Sequence, residues 1–419
     1  MKTIWLINQY ASTPETGIGG RHHYLATELA KEGYEVYVIA GGWHHLLKAP
    51  DTAPNKTEIE EIDGYKFVRL AMPRYRDAHD KKRILNWLLF TWKVSRLHRI
   101  IGARPDAIVA SSPALFMYLG AKSQARRHRA RLAFEVRDFW PLSLVELGGQ
   151  SARNPLIRAM QWVEDYAYKT ADLVISNTPN AVRHMQGRGM DPEKFAWVSN
   201  GFSLEEVQQQ DSAPTVVLDK IPRSGFVIGY AGTIGLANSL DTMIESAVQL
   251  RAHTDIHFVL LGDGRAVPEL RQQCEDNGLS NVTFLGRVNK TEVQSVINHF
   301  DASFLAWKHS PLYNYGIAAN KIYDYLYAGK PVLHCYSGAL DPFKAYDCGL
   351  SMPAQDSAAL SAAILKLKDM PQNTRDEMGA RGRRAALEHH EYNVLARRLA
   401  TALSSPVGDL PLNRMGSSE

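Results

Sequence analysis

Asn320, Lys321 and Asp324 carry an amide, a cation and a carboxylate within one turn and a half of sequence, inside the stretch Tyr315–Val332. Ile317, Ile322, Tyr325 and Leu326 recur there at helical spacing, Gly329 stops the pattern, and Pro331 opens the apolar run Val332-Leu333-His334-Cys335. The three polar residues therefore belong to the first turns of a helix, with Asn320 expected as its cap. Backbone N–H groups at a helix start favour an anion. A lysine placed there is disfavoured by about 0.3–1 kcal/mol unless an anion lies opposite. Lys321 is therefore expected to hold phosphate and Asp324 to accept hydrogen bonds from hydroxyls; the alternative is a pair of ordinary surface charges. Together they suit a sugar nucleotide.

Two glycine-bearing turns extend this chemistry. Gly262-Asp263-Gly264 precedes Arg265, whose guanidinium could clamp a diphosphate. Gly17-Ile18-Gly19-Gly20 lies between an expected strand and an expected helix, so Gly17, Gly19 and Gly20 would let backbone approach a phosphate; a plain tight turn is the simpler alternative. Asp138 follows the apolar run Leu132–Val136 and is expected to serve an acceptor hydroxyl or a developing positive charge, or else to cap the turn before Pro141.

The elements that would position these residues alternate between strand and helix. Strands are expected at Thr3–Ile7, Glu35–Ala40, Phe67–Leu70, Ala107–Ala110, Leu132–Val136, Leu173–Ser176 and Phe195–Val198, with a helix over Arg21–Lys31. Residues 207–224 are polar and proline-bearing and read as a linker. The alternation restarts with strands at Phe226–Tyr230, His257–Leu261, Val282–Leu285, Ala302–Ala306 and Val332–Cys335, and helices over Leu240–His253 and Val267–Asn277. This is an α/β pattern of two Rossmann-like domains, 1–206 and 225–390, facing across a cleft, followed by a helix at 391–404 and a tail at 405–419.

Composition fits that organisation. At 419 residues the chain is too long for one ordinary core, and with 45% hydrophobic and 22% charged residues it is globular. Three cysteines, none in C-x-x-C spacing, exclude a disulfide framework or cysteine zinc site and fit a reducing compartment. The first apolar run is too short for a signal peptide or membrane span. Residues 1–200 hold 28 Lys+Arg against 20 Asp+Glu, a net +8, and the remainder is 20 against 24, a net −4. A basic first half suits an anionic surface.

Lys81–Ile101 interleaves Trp87, Phe90 and Trp92 with Lys93, Arg96 and Arg99, and a second basic cluster includes Arg126 and Arg127. These residues are expected to meet an anionic membrane surface, the alternative being a core helix with a basic rim. No nucleic-acid motif accompanies the charge. His22-His23, His44-His45 and His389-His390 are adjacent pairs without metal-ligand spacing, and no D-x-D loop stands out, so no metal or other cofactor is expected.

In order, Gly19–Ala26, Ser199–Phe202, Gly229–Thr233, Leu261–Gly264, Phe284–Val288, Asn320–Tyr325 and Ala328–Val332 resemble family 4 retaining glycosyltransferases of the GT-B fold. Within them, Arg137–Pro141 and Asn320-Lys321 resemble the bacterial branch building O-antigen and capsule, including N-acetyl-L-fucosamine transferases. The resemblance implies transfer from a nucleoside-diphosphate sugar, UDP-linked, to a lipid-linked (polyprenyl-diphosphate) sugar at the inner face of the cytoplasmic membrane. It implies donor contacts at Gly232, Thr233, Gly262, Gly264, Gly316, Ile317, Asn320, Lys321 and Asp324, with Asp138, Lys321 and Arg265 in catalysis. It also implies a last helix crossing back onto the first domain. One departure stands out: of two glutamates eight positions apart in the family, the first falls on Gly316 and the second on Asp324, and no glutamate occurs between Glu292 and Glu377. Three other readings stay open: a sugar-nucleotide 2-epimerase of the same fold, an NAD-dependent enzyme, and a non-catalytic sugar-nucleotide sensor.

Overall fold

The structure is a computed structural model that describes residues 1–17, 20–48, 56–77 and 80–406. Gly19, one of the expected donor contacts, and residues 407–419 of the expected tail lie outside the described residues. The described residues divide into two compact units, one within 1–199 with 392–406 and one within 200–391.

The first unit holds β1 (Thr3–Ile7), β2 (Glu35–Gly41), β3 (Glu58–Ile62), β4 (Tyr65–Leu70), β5 (Ala107–Ser111), β6 (Arg131–Val136), β7 (Leu173–Ser176) and β8 (Phe195–Trp197). They form one sheet in the order β3-β4-β2-β1-β5-β6-β7-β8, parallel except for the β3–β4 pair. Its central strands are buried on both faces, which is why they read as unbroken apolar runs. The edge strand β3 (EIEEI) is mostly exposed and gave no such run. Four helices matter here: α1 (Arg21–Lys31), α2 (Lys82–Val94), α3 (Met117–His128) and α4 (Pro155–Thr170).

The second unit repeats the plan with β9 (Phe226–Ala231), β10 (Ile256–Leu261), β11 (Val282–Gly286), β12 (Ala302–Ala306), β13 (Val332–Cys335) and β14 (Gly349–Met352). The order is β11-β10-β9-β12-β13-β14 and every pair is parallel. The connections run outward in both directions from β9 and β12, and ligands of open α/β sheets bind at such a switch point, beyond the carboxyl ends of the strands. Its helices include α5 (Asp241–Gln249), α6 (Val267–Asp276), α7 (Asn320–Ala328), α8 (Ser357–Asp369) and α9 (Gln372–His389).

Residues 207–224 fold with the second unit rather than standing apart as a connector. Asp211 N–H donates to the Thr291 carbonyl at 3.2 Å, and Val217, Leu218 and Ile221 pack on one of that unit's two apolar clusters. The final helix, α10 (Tyr392–Ser404), belongs to the first unit: Leu395, Ala396, Leu399 and Leu403 share a core with Leu25 and Leu29 of α1, and Tyr392 stacks on Tyr24 at 4.8 Å.

Candidate functional site

In the second unit, α7 begins at the carboxyl edge of the sheet beside the switch point. Its cap residue is Ala319, and Asn320, exposed, is the first helical residue; the expected side-chain cap by Asn320 is not formed. Among the described residues no side chain caps the start of this helix. The Ala318 carbonyl accepts from Nδ2 of Asn200 at 2.7 Å, which pins the turn into the helix.

Lys321 points back from this turn to the loop after β9. Its Nζ donates to the Tyr230 hydroxyl at 2.6 Å and to Oδ1 of Asn238 at 2.9 Å, and lies 4.6 Å from the centre of the Tyr230 ring. The Tyr230 hydroxyl and Nδ2 of Asn238 both donate to the Thr233 carbonyl, at 2.6 and 2.9 Å. Thr233 thus contributes its backbone, and the ammonium sits among neutral oxygens. Burial pulls the Lys321 pKa down from 10.5 to about 8, only partly offset by Asp324.

Gly232, at φ +145°, lies against Lys321: a Cβ there would come within 3.1 Å of Nζ. A Cβ on Gly262 would lie 1.9 Å from the Gly232 carbonyl oxygen, so the turns after β9 and β10 touch through backbone alone. Gly264 and Arg265 follow in the second turn; Arg265 is exposed, while its neighbour Asp263 pairs with Arg287 at 3.2 Å.

Asp324 lies one turn into α7. Burial raises its pKa to about 6, against the nearby charge of Lys290, which itself pairs with Glu206 at 2.8 Å. Gly316 is buried at φ +95°, a conformation that strains any residue with a Cβ, and Ile317 is buried beside it. The backbone itself therefore disfavours a glutamate at 316.

The first unit carries a second polar cluster. Arg21, first residue of α1, is buried; its Nε meets Oε1 of Glu135 at 2.8 Å, and its other nitrogens donate to the carbonyls of Val198 and Ser199. Ser111 Oγ donates to Oε2 of Glu135 at 2.5 Å and lies 2.9 Å from Nε2 of His22. Burial works against ionising Glu135, but the Arg21 charge and the His22 bond outweigh it and hold the carboxyl well below its ordinary range. Burial likewise pushes His22 down, past the opposing pull of Glu135. Arg21, Glu135 and Ser111 were missed in the sequence, and His22 was weighed there only as a metal ligand. The one available signal was a charge inside an apolar strand, Leu132–Val136.

Other expected residues are scattered. Gly20 precedes α1, and Gly17 is buried against Ser12. Asp138 is exposed after β6, its side chain making no cap among the described residues. Trp87 corrects an expectation: it is 6% exposed, and its indole N–H donates to the Tyr10 hydroxyl at 2.7 Å, so it faces the core and not a membrane. The helical period explains this, since Trp87, Phe90 and Val94 share the buried face of α2. The opposite face exposes Leu85, Leu88 and Trp92, with Arg96 stacked on Trp92 at 3.9 Å, Lys93 partly exposed, and Arg126 and Arg127 exposed on α3.

Two family models match the chain in sequence. Residues 16–201 match a glycosyl transferase 4-like domain, and residues 225–369 match the glycosyl transferases group 1 domain. The chain is built from two glycosyltransferase domains. Among curated relatives, WcaI of Escherichia coli (strain K12), named as a colanic acid biosynthesis glycosyl transferase, is 24% identical over 290 residues, 65% of this chain and 69% of WcaI. Two solved structures share the fold: sucrose-phosphate synthase from Thermosynechococcus elongatus (TM-score 0.71, 17% identity, 96% of this chain and 98% of that one) and Anabaena HepE in complex with UDP and glucose (0.65, 16%, 97% and 100%). Both glycosyltransferase domains are Rossmann-like α/β units, as the alternating pattern predicts. Among the described residues no helix is long and apolar enough to cross a membrane, and no group of three His, Cys, Asp or Glu could hold a metal ion.

Proposed function

We propose that this glycosyltransferase moves a sugar, with anomeric retention, from a nucleoside-diphosphate donor bound by the second domain to a hydroxyl of an acceptor bound by the first. The observation that carries this reading is the seating of Lys321 at the start of α7, against Tyr230 and Asn238 and beside the switch point. A half-buried cation whose hydrogen-bond partners are neutral is costly unless an anion is to join it. The diphosphate oxygens would meet Lys321, the first N–H groups of α7 and the backbone around Gly232 and Gly262; Asp324 would take the ribose hydroxyls.

As the anomeric bond breaks, negative charge grows on the departing diphosphate. Lys321 and the helix start would then bind the transition state more strongly than the ground state, supplying charge neutralisation without a divalent ion. Arg265, exposed on the next turn, and Asp138 in the first domain are proposed to join when substrates are bound. UDP is the proposed nucleotide, supported by the fold shared with HepE, solved with UDP and glucose. N-acetyl-L-fucosamine as the sugar rests on the resemblance of the ordered motifs.

The proposed acceptor is a polyprenyl-diphosphate-linked sugar, in O-antigen or capsule synthesis on the inner face of the cytoplasmic membrane. The likeness to a colanic acid enzyme and the apolar, basic-edged face of α2 support it. Incubation with UDP-sugars and lipid-linked acceptor tests the proposal. Acceptor-dependent release of UDP is expected; conversion of the donor to its 2-epimer without acceptor, or binding without turnover, would overturn it.

A further inference from the structure

Trp307 stands one residue past the carboxyl end of β12, next to β9 at the switch point, and is half-buried. Its indole N–H donates to Nε2 of His334 at 3.0 Å. An indole N–H can only donate, so Nε2 carries the lone pair and the His334 proton sits on Nδ1, which meets Oδ2 of Asp341 at 2.9 Å. That same oxygen accepts from Ser351 Oγ at 2.6 Å, while Oδ1 of Asp341 accepts from the N–H groups of Phe343 and Lys344 at 2.9 and 3.3 Å. Burial opposes ionisation of Asp341, yet these donors hold its carboxyl below the ordinary range. His334 itself is fully buried between the rings of Tyr336 and Phe343.

The buried His334, backed by the part-buried Asp341, thus fixes the tilt of one half-exposed ring. An aliphatic residue in place of His334 would strip the Trp307 N–H of its acceptor and the Asp341 carboxylate of a donor, so the three side chains hold one another as a unit. The Trp307 ring also meets Tyr313 edge-on, 5.4 Å between centres, and Tyr313 lies on the short helical turn Pro311–Tyr315 that leads into Gly316 and α7. Gly316 offers a ligand no side chain.

We propose that Trp307 is the platform for the donor's sugar ring, the diphosphate lying at Lys321 and the pyranose placing its C–H face on the indole. This rests on the donor reading above. A pyranose is apolar across its C–H face and polar around its rim, so a rigid aromatic plane sets its orientation without a charge. Trp307 then determines which sugars are accepted, and His334 with Asp341 are positioning residues acting through it.

Calorimetric titration separates the two readings. The ligands are UDP and whichever of UDP-glucose or UDP-N-acetylglucosamine the wild-type protein binds more tightly. Trp307→Leu is expected to weaken the sugar nucleotide at least fivefold while the Kd for UDP stays within twofold. His334→Leu is expected to show the same split, and Trp307→Phe, which keeps a ring and is the variant to read if the leucine substitution fails to fold, a smaller one of at least twofold. Equal weakening of both ligands, or of neither, would overturn the platform and leave the donor reading intact. Failure of wild-type protein to bind UDP at all would overturn the donor reading and the platform with it.

Discussion

The ammonium of Lys321 lies 2.6 Å from the Tyr230 hydroxyl, whose own proton is committed to the Thr233 carbonyl. The two side chains fix each other across the gap between α7 and the end of β9, and neither brings a negative charge. Hydrogen bonds to charged groups are worth about 1.5–3 kcal/mol. Lys321→Met should therefore lower kcat/KM for the donor by well over tenfold, measured by UDP release. Thermal unfolding of the same variant should stay at or above the wild-type Tm, because methionine fills the space without a buried charge. Unchanged kinetics would remove Lys321 from the site.

pH should separate stability from binding at this site. Folding lowers the Lys321 pKa from 10.5 to about 8, so between those values the unfolded chain binds more protons and this group's contribution to stability rises with pH. UDP affinity should fall over the same range, because only the ammonium pairs with diphosphate, and binding near pH 8 should take up part of a proton in calorimetry. Asp324 works in the opposite sense: its pKa rises on folding from 3.8 to about 6, so its contribution to stability falls as pH climbs through that window. Asp324→Asn at pH 7.5 should raise Tm by about 2–4 °C while weakening UDP, the trade of stability for function expected at a binding site. Affinity that is flat from pH 7 to 9.5 would contradict the Lys321 assignment.

The buried pair Arg21–Glu135 should behave as structure. Removing one partner leaves an uncompensated buried charge, which costs about 3–5 kcal/mol. Arg21→Met alone should lower the Tm of the first unit by about 6–20 °C. The double variant Arg21→Met with Glu135→Gln should recover part of that loss, as differential scanning calorimetry would show.

The two faces of α2 should separate in experiment. Leu88→Ser and Trp92→Ala remove exposed groups, each 51% accessible, and should leave Tm within about 2 °C while reducing sedimentation with vesicles containing anionic lipid. Trp87→Ala opens the core and should cost about 3–5 kcal/mol. Vesicle binding that is unaffected by Leu88→Ser and Trp92→Ala would dismiss this face as a membrane contact.

Local pattern made most of the fold legible. β1, β7, β12 and β13 begin and end at the expected residues because short, largely apolar runs, opened after Lys2, Asp172, Asp301 and Pro331, leave little choice. α7 and its Gly329 stop were equally plain, and with them the neighbourhood of Lys321 and Asp324. β3 and β14 were not, since an exposed edge strand such as EIEEI and a short one such as GLSM lack that signature. Partners distant in sequence were invisible: nothing near Arg21 names Glu135, and nothing near Trp307 names His334. Composition marked Lys81–Ile101 as a basic, aromatic segment but could not say which tryptophan faces inward.

A crystal of the protein soaked with UDP decides whether α7 binds the nucleotide. The diphosphate is expected at the first turn of α7, its oxygens within hydrogen-bond distance of Lys321 Nζ, and the ribose at Asp324. A nucleotide bound away from Lys321, or an intact site that stays empty at saturating UDP, would contradict it.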